Sequence, residues 1–123
     1  KNSKYFKKKR FFLNKLHTKN FYKNIDIQII RLDEYLNNNS IEYINFMKID
    51  TEGYEFHVLK GLGTKIYNVQ YIMFEHHYHD MLIKTYKFSD INELLVKNNF
   101  IKIFKAKMPF RKTFEYIYEN RNK

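Results

Sequence analysis

Two short apolar runs, each followed by acids or histidines, constrain the fold of this chain more than any other feature. Residues 41–50 and residues 69–74 are mostly apolar. Runs of this length are typical of strands that are buried on both faces, as in a parallel sheet. Between them, residues 54–62 carry apolar side chains at helical spacing, and Gly61 and Gly63 mark the end of that helix. The pattern therefore predicts a strand–helix–strand unit.

The patterning of the remaining residues adds further elements on both sides of this unit. They are a strand over 25–32, a short helix over 34–36, a helix over 89–98, and strands over 100–105 and 113–118. Ser89 is the predicted N-cap of the longer helix. Strands joined through helical crossovers should be parallel, whereas the last two strands, joined by a short connection, should be antiparallel. We therefore predict an α/β fold with a sheet that is mostly parallel and contains one antiparallel strand.

The chain carries a net charge of +10, concentrated at its two ends. Residues 1–25 contain nine lysines or arginines and no acid, whereas residues 26–101 contain seven basic and eleven acidic residues. We interpret residues 1–24 as a basic connector segment and residues 25–123 as the folded part. Lysines interleaved with aromatic residues can contact phosphate or an anionic membrane. A basic module that binds nucleic acid or an anionic surface is therefore one candidate function, although acids in the middle of the chain make nucleic acid the less favoured partner.

The amino-acid composition excludes several classes of protein and of functional site. The 123 residues include no cysteine, which excludes disulfide scaffolds, thiolate metal sites and thiol catalysis. Absence of cysteine fits a reducing compartment, and we expect a cytoplasmic protein. No apolar run reaches the roughly 18 to 20 residues that span a bilayer, so no membrane span is expected.

Carboxylates follow both apolar runs. Asp50, Glu52 and Glu55 come after the first run and Glu75 after the second. Ligands of α/β sheets bind beyond the carboxyl ends of parallel strands, so these residues are predicted to lie at a site. Asp50 is either the N-cap of the next helix or a group that stabilises a cation or accepts a proton. Such oxygen ligands could hold Mg²⁺, but we predict no metal.

Histidines follow the second run together with Glu75. His76 is the predicted general base, because imidazole titrates near neutral pH and His76 lies beside Glu75. We assign His77 and His79 to a solvated loop. The histidines lack the paired spacing of a zinc site.

Three segments and a strand end carry a family resemblance. They are Leu-Asp-Glu-Tyr-Leu at 32–36, Ile-Asn-Phe-Met-Lys-Ile-Asp-Thr-Glu-Gly-Tyr-Glu at 44–55, Val-Leu-Lys-Gly at 58–61 and Phe-Glu-His at 74–76. In order, spacing and identity they resemble the FkbM family of methyltransferases. The resemblance covers roughly residues 25–118.

This resemblance implies a class I methyltransferase that uses S-adenosylmethionine and methylates a hydroxyl on a small molecule or glycan. Sheets of that class run in the order 3-2-1-4-5-7-6 with strand 7 antiparallel, and the last four predicted strands look like strands 4, 5, 6 and 7. The expected fold is thus a partial Rossmann-like methyltransferase sheet. For this reaction we predict that Asp50, Glu75 and His76 are catalytic and that Asp50 and Glu52 contact the cofactor.

One departure from the family pattern concerns the cofactor loop. A Gly-rich turn after the first strand is expected in the family, but the only glycines here are Gly53, Gly61 and Gly63. Residues 25–123 therefore look like the carboxyl-terminal part of a methyltransferase domain. We expect this chain alone to be inactive, and an inactive remnant is a further alternative.

Overall fold

The computed structural model describes residues 25–79, 82 and 84–122. Its elements, in chain order, are α1 (Leu32–Asn38), β1 (Ile44–Ile49), α2 (Glu55–Gly61), a 3-10 helix (Gly63–Asn68), β2 (Val69–His77), α3 (Phe88–Lys97), β3 (Phe100–Lys107) and β4 (Thr113–Asn120). The predicted alternation of strands and helices from residue 41 onward is confirmed. The basic segment 1–24 lies outside the described residues.

The four strands form one mixed sheet in the order β1-β2-β4-β3. β1 and β2 are parallel, and β4 pairs antiparallel with both β2 and β3. Three strands therefore share one direction and β4 runs against them, which confirms the prediction of one antiparallel strand. Ile49 is in register with Phe74, and His77 is in register with Thr113. The carboxyl ends of β1 and β2 consequently meet the start of β4 at one end of the sheet.

The hydrophobic core lies on the sheet face that α2 and α3 cover. Phe74 of β2 stacks on Tyr116 and Tyr118 of β4, with ring centroids 5.4 and 5.8 Å apart. Ile91 and Leu95 of α3 are fully buried in the same cluster, at the i and i+4 spacing that puts both on one helix face. Burial of each such side chain contributes about 1.5–3 kcal/mol, so this face fixes how α3 sits on the sheet.

The strand predicted over residues 25–32 is wrong. Residues 25–31 form neither helix nor strand, and Leu32 begins α1. Ile29 is 88% exposed, so the alternating pattern does not bury an apolar face. A strand needs a neighbour to pair with, and none of the four described strands pairs with this segment.

The prediction that β1 is buried on both faces is also wrong. Ile49 is buried, but Phe46 is half exposed. β1 is the edge strand of the described sheet and pairs with β2 alone, so it lacks the cover of a central parallel strand.

Two predicted helix starts differ from the structure. The N-cap of α2 is Tyr54 and not Asp50, because a loop of four residues separates Asp50 from the helix. The N-cap of α3 is Lys87 and not Ser89, and the Lys87 backbone N–H donates to the Asp90 carboxylate at 2.7 Å. In both helices a carboxylate of the first turn, Glu55 in α2 and Asp90 in α3, accepts a hydrogen bond from a backbone N–H group that precedes the helix.

Within residues 25–79, 82 and 84–122, no helix is long and apolar enough to cross a membrane.

Candidate active site

The Glu55 carboxylate holds the loop between β1 and α2. Glu55 is 1% exposed although it is charged. Its Oε1 accepts hydrogen bonds from the backbone N–H groups of Thr51 at 3.1 Å and Gly53 at 2.9 Å, and from the Thr51 hydroxyl at 3.2 Å. Its Oε2 accepts a hydrogen bond from the Tyr86 hydroxyl. We call Glu55, Thr51, Gly53 and Tyr86 the Glu55 latch.

Hydrogen bonding decides the charge state of the latch. Burial by itself raises the pKa of Glu55, but the hydrogen bonds from Tyr86, Gly53 and Thr51 together outweigh it, and the pKa lies below 4.5. Burial and the bond to Glu55 raise the pKa of Tyr86 above 10.0. At neutral pH the latch is therefore a carboxylate held by a protonated phenol. Its oxygens are already engaged, which favours a structural role.

Backbone conformation shows why the loop needs this support. Glu52 and Gly53 both have positive φ angles, of 52° and 103°. A non-glycine residue in this region is uncommon, and the two Glu55 bonds on either side of Glu52 hold it there. The loop therefore presents the Glu52 side chain outward while Glu55 lies buried beneath it.

Asp50, Glu52 and Glu75 form what we call the acid cluster, at the carboxyl end of the two parallel strands. Asp50 and Glu52 are exposed, whereas the Glu75 side chain is only 13% exposed. Burial and the negative charges of Asp50, Glu52 and Glu115 raise the pKa of Glu75 above 4.5. Lys48 Nζ lies 3.5 Å from Asp50. Of the four carboxylates that the sequence places at this end of the sheet, these three lie around the ends of β1 and β2, whereas Glu55 is buried in the Glu55 latch. Their roles in a site stay predictions.

His77 lies inside β2, so its assignment to a solvated loop is wrong. The residue is 5% exposed. Its Nε2 lies 3.6 Å from a Glu52 oxygen and 3.7 Å from a Glu75 oxygen. Its Nδ1 lies 3.0 Å from the Thr113 hydroxyl and 3.3 Å from Nε2 of His79. The Nε2 atom is buried and makes no hydrogen bond within the described part of the chain.

The electrostatic surroundings of His77 leave it neutral but flanked by acids. Burial lowers the pKa of His77 below 6.5, and the Glu52 carboxylate opposes part of that shift. The nearby carboxylates would stabilise an imidazolium if the ring took up a proton. His79, which follows β2, is partly exposed and contacts His77, so only His79 fits the predicted loop.

His76 projects from the opposite face of β2, because consecutive strand residues alternate. It is 3% exposed, and its ring lies 4.8 Å from that of Tyr78, 5.7 Å from Phe88 and 5.9 Å from Tyr86. Burial, and next the charge of Lys84, lower the pKa of His76 to about 4. The structure thus brings the acid cluster together with His77 and leaves His76 on the aromatic side.

A cavity of about 550 Å³ opens beside the end of β2. We call it the β2-end cavity. Its described lining includes His76, Tyr78, Lys84, Tyr86, Lys87 and Phe88. Two lysines and no acid line it in the described part of the chain. Neither Lys84 nor Tyr86 was predicted from the sequence to lie at a site, because the segment before α3 has no periodic pattern.

Among the residues that the structure describes, no group of three or more histidine or carboxylate side chains is placed to hold a metal ion.

Comparison with known proteins gives one match. The family described as the methyltransferase FkbM domain matches residues 1–102. The matched range includes the basic segment 1–24 and ends within β3, although β4 completes the sheet between β2 and β3. No curated protein and no solved structure matches the chain.

Proposed function

The chain belongs to the methyltransferase FkbM domain family, and from that premise we propose that it serves S-adenosylmethionine-dependent methylation of a hydroxyl oxygen. Family membership supports methyl transfer. The observation that supports the site is the convergence of the acid cluster and His77 where parallel β1 and β2 end. In α/β sheets, that end is where ligands bind.

Strand order supports the class I, Rossmann-like assignment. In this proposal β1, β2, β3 and β4 correspond to strands 4, 5, 6 and 7 of the family sheet. The observed order β1-β2-β4-β3, with β4 reversed, is the order 4-5-7-6 that this correspondence requires. Within the described sheet, the unpaired edge of β1 is then the edge where strand 1 of the family sheet belongs.

The donor set of the acid cluster fits S-adenosylmethionine. The cluster carries three carboxylates, and Lys48 lies within ion-pair distance of Asp50. A ligand with positive charge and ribose hydroxyls suits an excess of carboxylate oxygens. We propose that Asp50 and Glu52 contact the cofactor, which supplies an electrophilic methyl group when bound. Because the chain contains no Gly-rich turn, we place the remaining cofactor contacts outside these 123 residues.

His77 is a better candidate for the general base than His76. A hydroxyl that gains a methyl group loses its proton, and a base must take it. In the tautomer that carries the ring proton on Nδ1, His77 donates to the Thr113 hydroxyl and Nε2 presents a lone pair between Glu52 and Glu75. Those carboxylates stabilise the imidazolium that proton uptake creates. His76 has aromatic rings around it and a pKa of about 4, so it holds a proton poorly at neutral pH.

In this mechanism Glu75 has a defined part. It is the less exposed neighbour of His77, and its raised pKa shows that the surroundings hold its charge at a disadvantage. Protonation of His77 relieves that disadvantage, because the cation and the carboxylate attract each other. We propose that the acceptor is a hydroxyl-bearing small molecule or glycan and not nucleic acid, since a polyanion would have to pass along the acid cluster. A cytoplasmic location stays a prediction.

Methyl transfer tests this proposal. Because this chain alone is expected to be inactive, transfer is measured on the protein with its complete cofactor site. We would incubate it with S-adenosylmethionine carrying a tritiated methyl group and a panel of hydroxylated sugars and small molecules. Transfer to oxygen is expected, and His77→Gln should lower turnover by about 100-fold or more with circular dichroism unchanged. His57→Gln, in α2, is the matched control and should keep turnover.

Two results would overturn the proposal. One is an absence of transfer to any acceptor, which would favour an inactive remnant or a binding module. The other is wild-type turnover in His77→Gln, which would remove His77 from the reaction.

A further inference from the structure

We propose that the β2-end cavity binds the methyl acceptor through an anionic group, so that the acceptor is a hydroxylated ring compound that carries a phosphate or a carboxylate. This inference rests on the proposed function and names its substrate class. It goes beyond the family, because it depends on side chains that line this cavity. At about 550 Å³ the cavity has the size of a small-molecule site.

Positive charge in the lining supports an anion. Lys84 and Lys87 line the cavity, and no described lining residue is acidic. Lys84 Nζ donates to the backbone carbonyl of His77, which fixes an ammonium group at the wall of the cavity. Lys87 is exposed and can swing toward a ligand. Charge-assisted hydrogen bonds from such groups to phosphate or carboxylate are among the strong ones in proteins.

The start of α3 forms part of the cavity wall. α3 is ten residues long, and Lys87, Phe88 and Ser89 at its start all line the cavity. The Asp90 carboxylate accepts a hydrogen bond from the Lys87 N–H at 2.7 Å and offsets the positive end of the helix dipole, so the positive charge at the cavity comes from the lysine side chains.

Buried His76 gives an independent sign that the cavity accommodates a ligand. The residue is 3% exposed and lines the cavity, and its Nδ1 has no hydrogen-bond partner among the described residues. A buried polar atom without a partner carries a free-energy penalty that a ligand hydroxyl or oxyanion can relieve. A purely apolar ligand would leave that penalty in place.

Aromatic walls indicate that the ligand contains a ring. The rings of Tyr78 and Phe88 lie 6.2 Å apart beside His76, and both line the cavity. Flat aromatic faces with a few convergent polar groups are typical of sites that orient a ring-shaped ligand. His77 also lines the cavity, so the cavity opens next to the end of β2 that carries the proposed base.

Binding measured by calorimetry, without cofactor, tests the inference. The probes are D-glucose 6-phosphate, D-glucuronate and neutral D-glucose, applied to the intact protein. At least one of the two anions should bind about 10-fold or more tightly than glucose. The phosphate and carboxylate arms show which anion the cavity prefers.

Three lysine variants localise the binding. Lys87→Met and Lys84→Met should each weaken binding of the preferred anion by about 10-fold. Lys97→Met, at the other end of α3, is the matched control and should bind like wild type. If Lys84→Met does not fold, Lys87→Met alone tests whether the cavity binds the anion, because Lys87 is exposed and its substitution should leave the fold intact. Equal affinity for glucose and both anions, or equal loss in Lys87→Met and Lys97→Met, would overturn the inference.

The outcome can be separated from that of the proposed function. Anion binding that depends on Lys87, in a protein that transfers no methyl group, would support the cavity and contradict the proposed reaction. Methyl transfer to neutral sugars without anion preference would support the reaction and overturn the cavity inference.

Discussion

Glu55 and Glu75 lie near the same end of the sheet, yet their surroundings are opposite. Glu55 accepts four hydrogen bonds within the Glu55 latch, whereas Glu75 faces the negative charges of Asp50, Glu52 and Glu115. As a result the pKa of Glu55 lies below 4.5 and that of Glu75 lies above it. Burial pushes both pKa values upward and is the largest cause of the raised pKa of Glu75, so the hydrogen-bond donors around Glu55 are what sets the two residues apart.

This difference distinguishes a carboxylate that stabilises the fold from one that is available to a ligand. The Glu55 carboxylate accepts hydrogen bonds on both oxygens and so holds a loop in place. The Glu75 carboxylate lies among like charges, so it can still be stabilised by a nearby cation. Two carboxylates whose environments push their pKa values apart are a common sign that they have different roles. Here the Glu55 latch holds the loop that carries Glu52, and the acid cluster is the part left to meet a ligand.

Removal of the Glu55 carboxylate should have the largest effect. Glu55→Ala leaves the Tyr86 hydroxyl and the Gly53 N–H without their acceptor, so the free energy of unfolding should fall by about 3 kcal/mol or more. Urea unfolding measures it. Glu75→Ala is the matched control and should change the free energy by about 1 kcal/mol or less. Equal losses in the two variants would break the comparison.

Acidification should have the next largest effect, through His76. Its pKa is about 4 in the folded state against 6.5 in the unfolded chain, so the unfolded state binds more protons between these values and stability falls as pH falls. From pH 7.5 to pH 5.0 the loss from His76 alone is about 2 kcal/mol. The lowered pKa values of His77 and His79 act in the same direction.

Urea unfolding at the two pH values checks this prediction. His76→Phe should remove most of the His76 share of the loss, and His57→Phe should not. The stability that ionised Glu55 contributes is present above its unfolded pKa near 4.5 and is lost below it, so it persists at pH 5.0. An unchanged loss in His76→Phe would contradict the aromatic-side placement of His76.

Neutralisation of Glu75 should have the smallest effect on stability. Because the fold raises the pKa of Glu75, its ionised form is held at a disadvantage above that pKa, and Glu75→Gln should match or slightly exceed wild-type stability at pH 7. Methyl transfer by the intact protein should nevertheless fall, since His77 loses a neighbouring carboxylate. Glu93→Gln, at an exposed position of α3, should change neither quantity. A stability loss in Glu75→Gln without a change in turnover would reverse the roles assigned to the two carboxylates.

The sequence predicted the elements along the chain and the directions of the strands, because both follow from local signals, whereas the order of the strands within the sheet was implied by the family resemblance. Periodicity located β1, β2 and α2, and the connection between β3 and β4 was too short for a crossover. The same reasoning wrongly predicted a strand over residues 25–32, because an alternating pattern does not guarantee a neighbouring strand to pair with.

The site was less predictable because its contacts are distant in the chain. β2 extends to His77 through pairing with Thr113, and period-two alternation along that extension places His77 with Glu75 and His76 with Phe74. Because the predicted strand ended before His77, His77 was assigned to a loop. Tyr86 lies 31 residues from Glu55 in the chain, and no local sequence pattern predicts the hydrogen bond between them.

Direct titration of the two carboxylates tests the central claim without any substitution. Carbon-13 chemical shifts of the side-chain carboxyls, followed from pH 2 to pH 8, report the pKa of Glu55 and of Glu75 separately. The account predicts a pKa below 4.5 for Glu55 and above 4.5 for Glu75. Equal values, or a reversed order, would contradict the division between the Glu55 latch and the acid cluster.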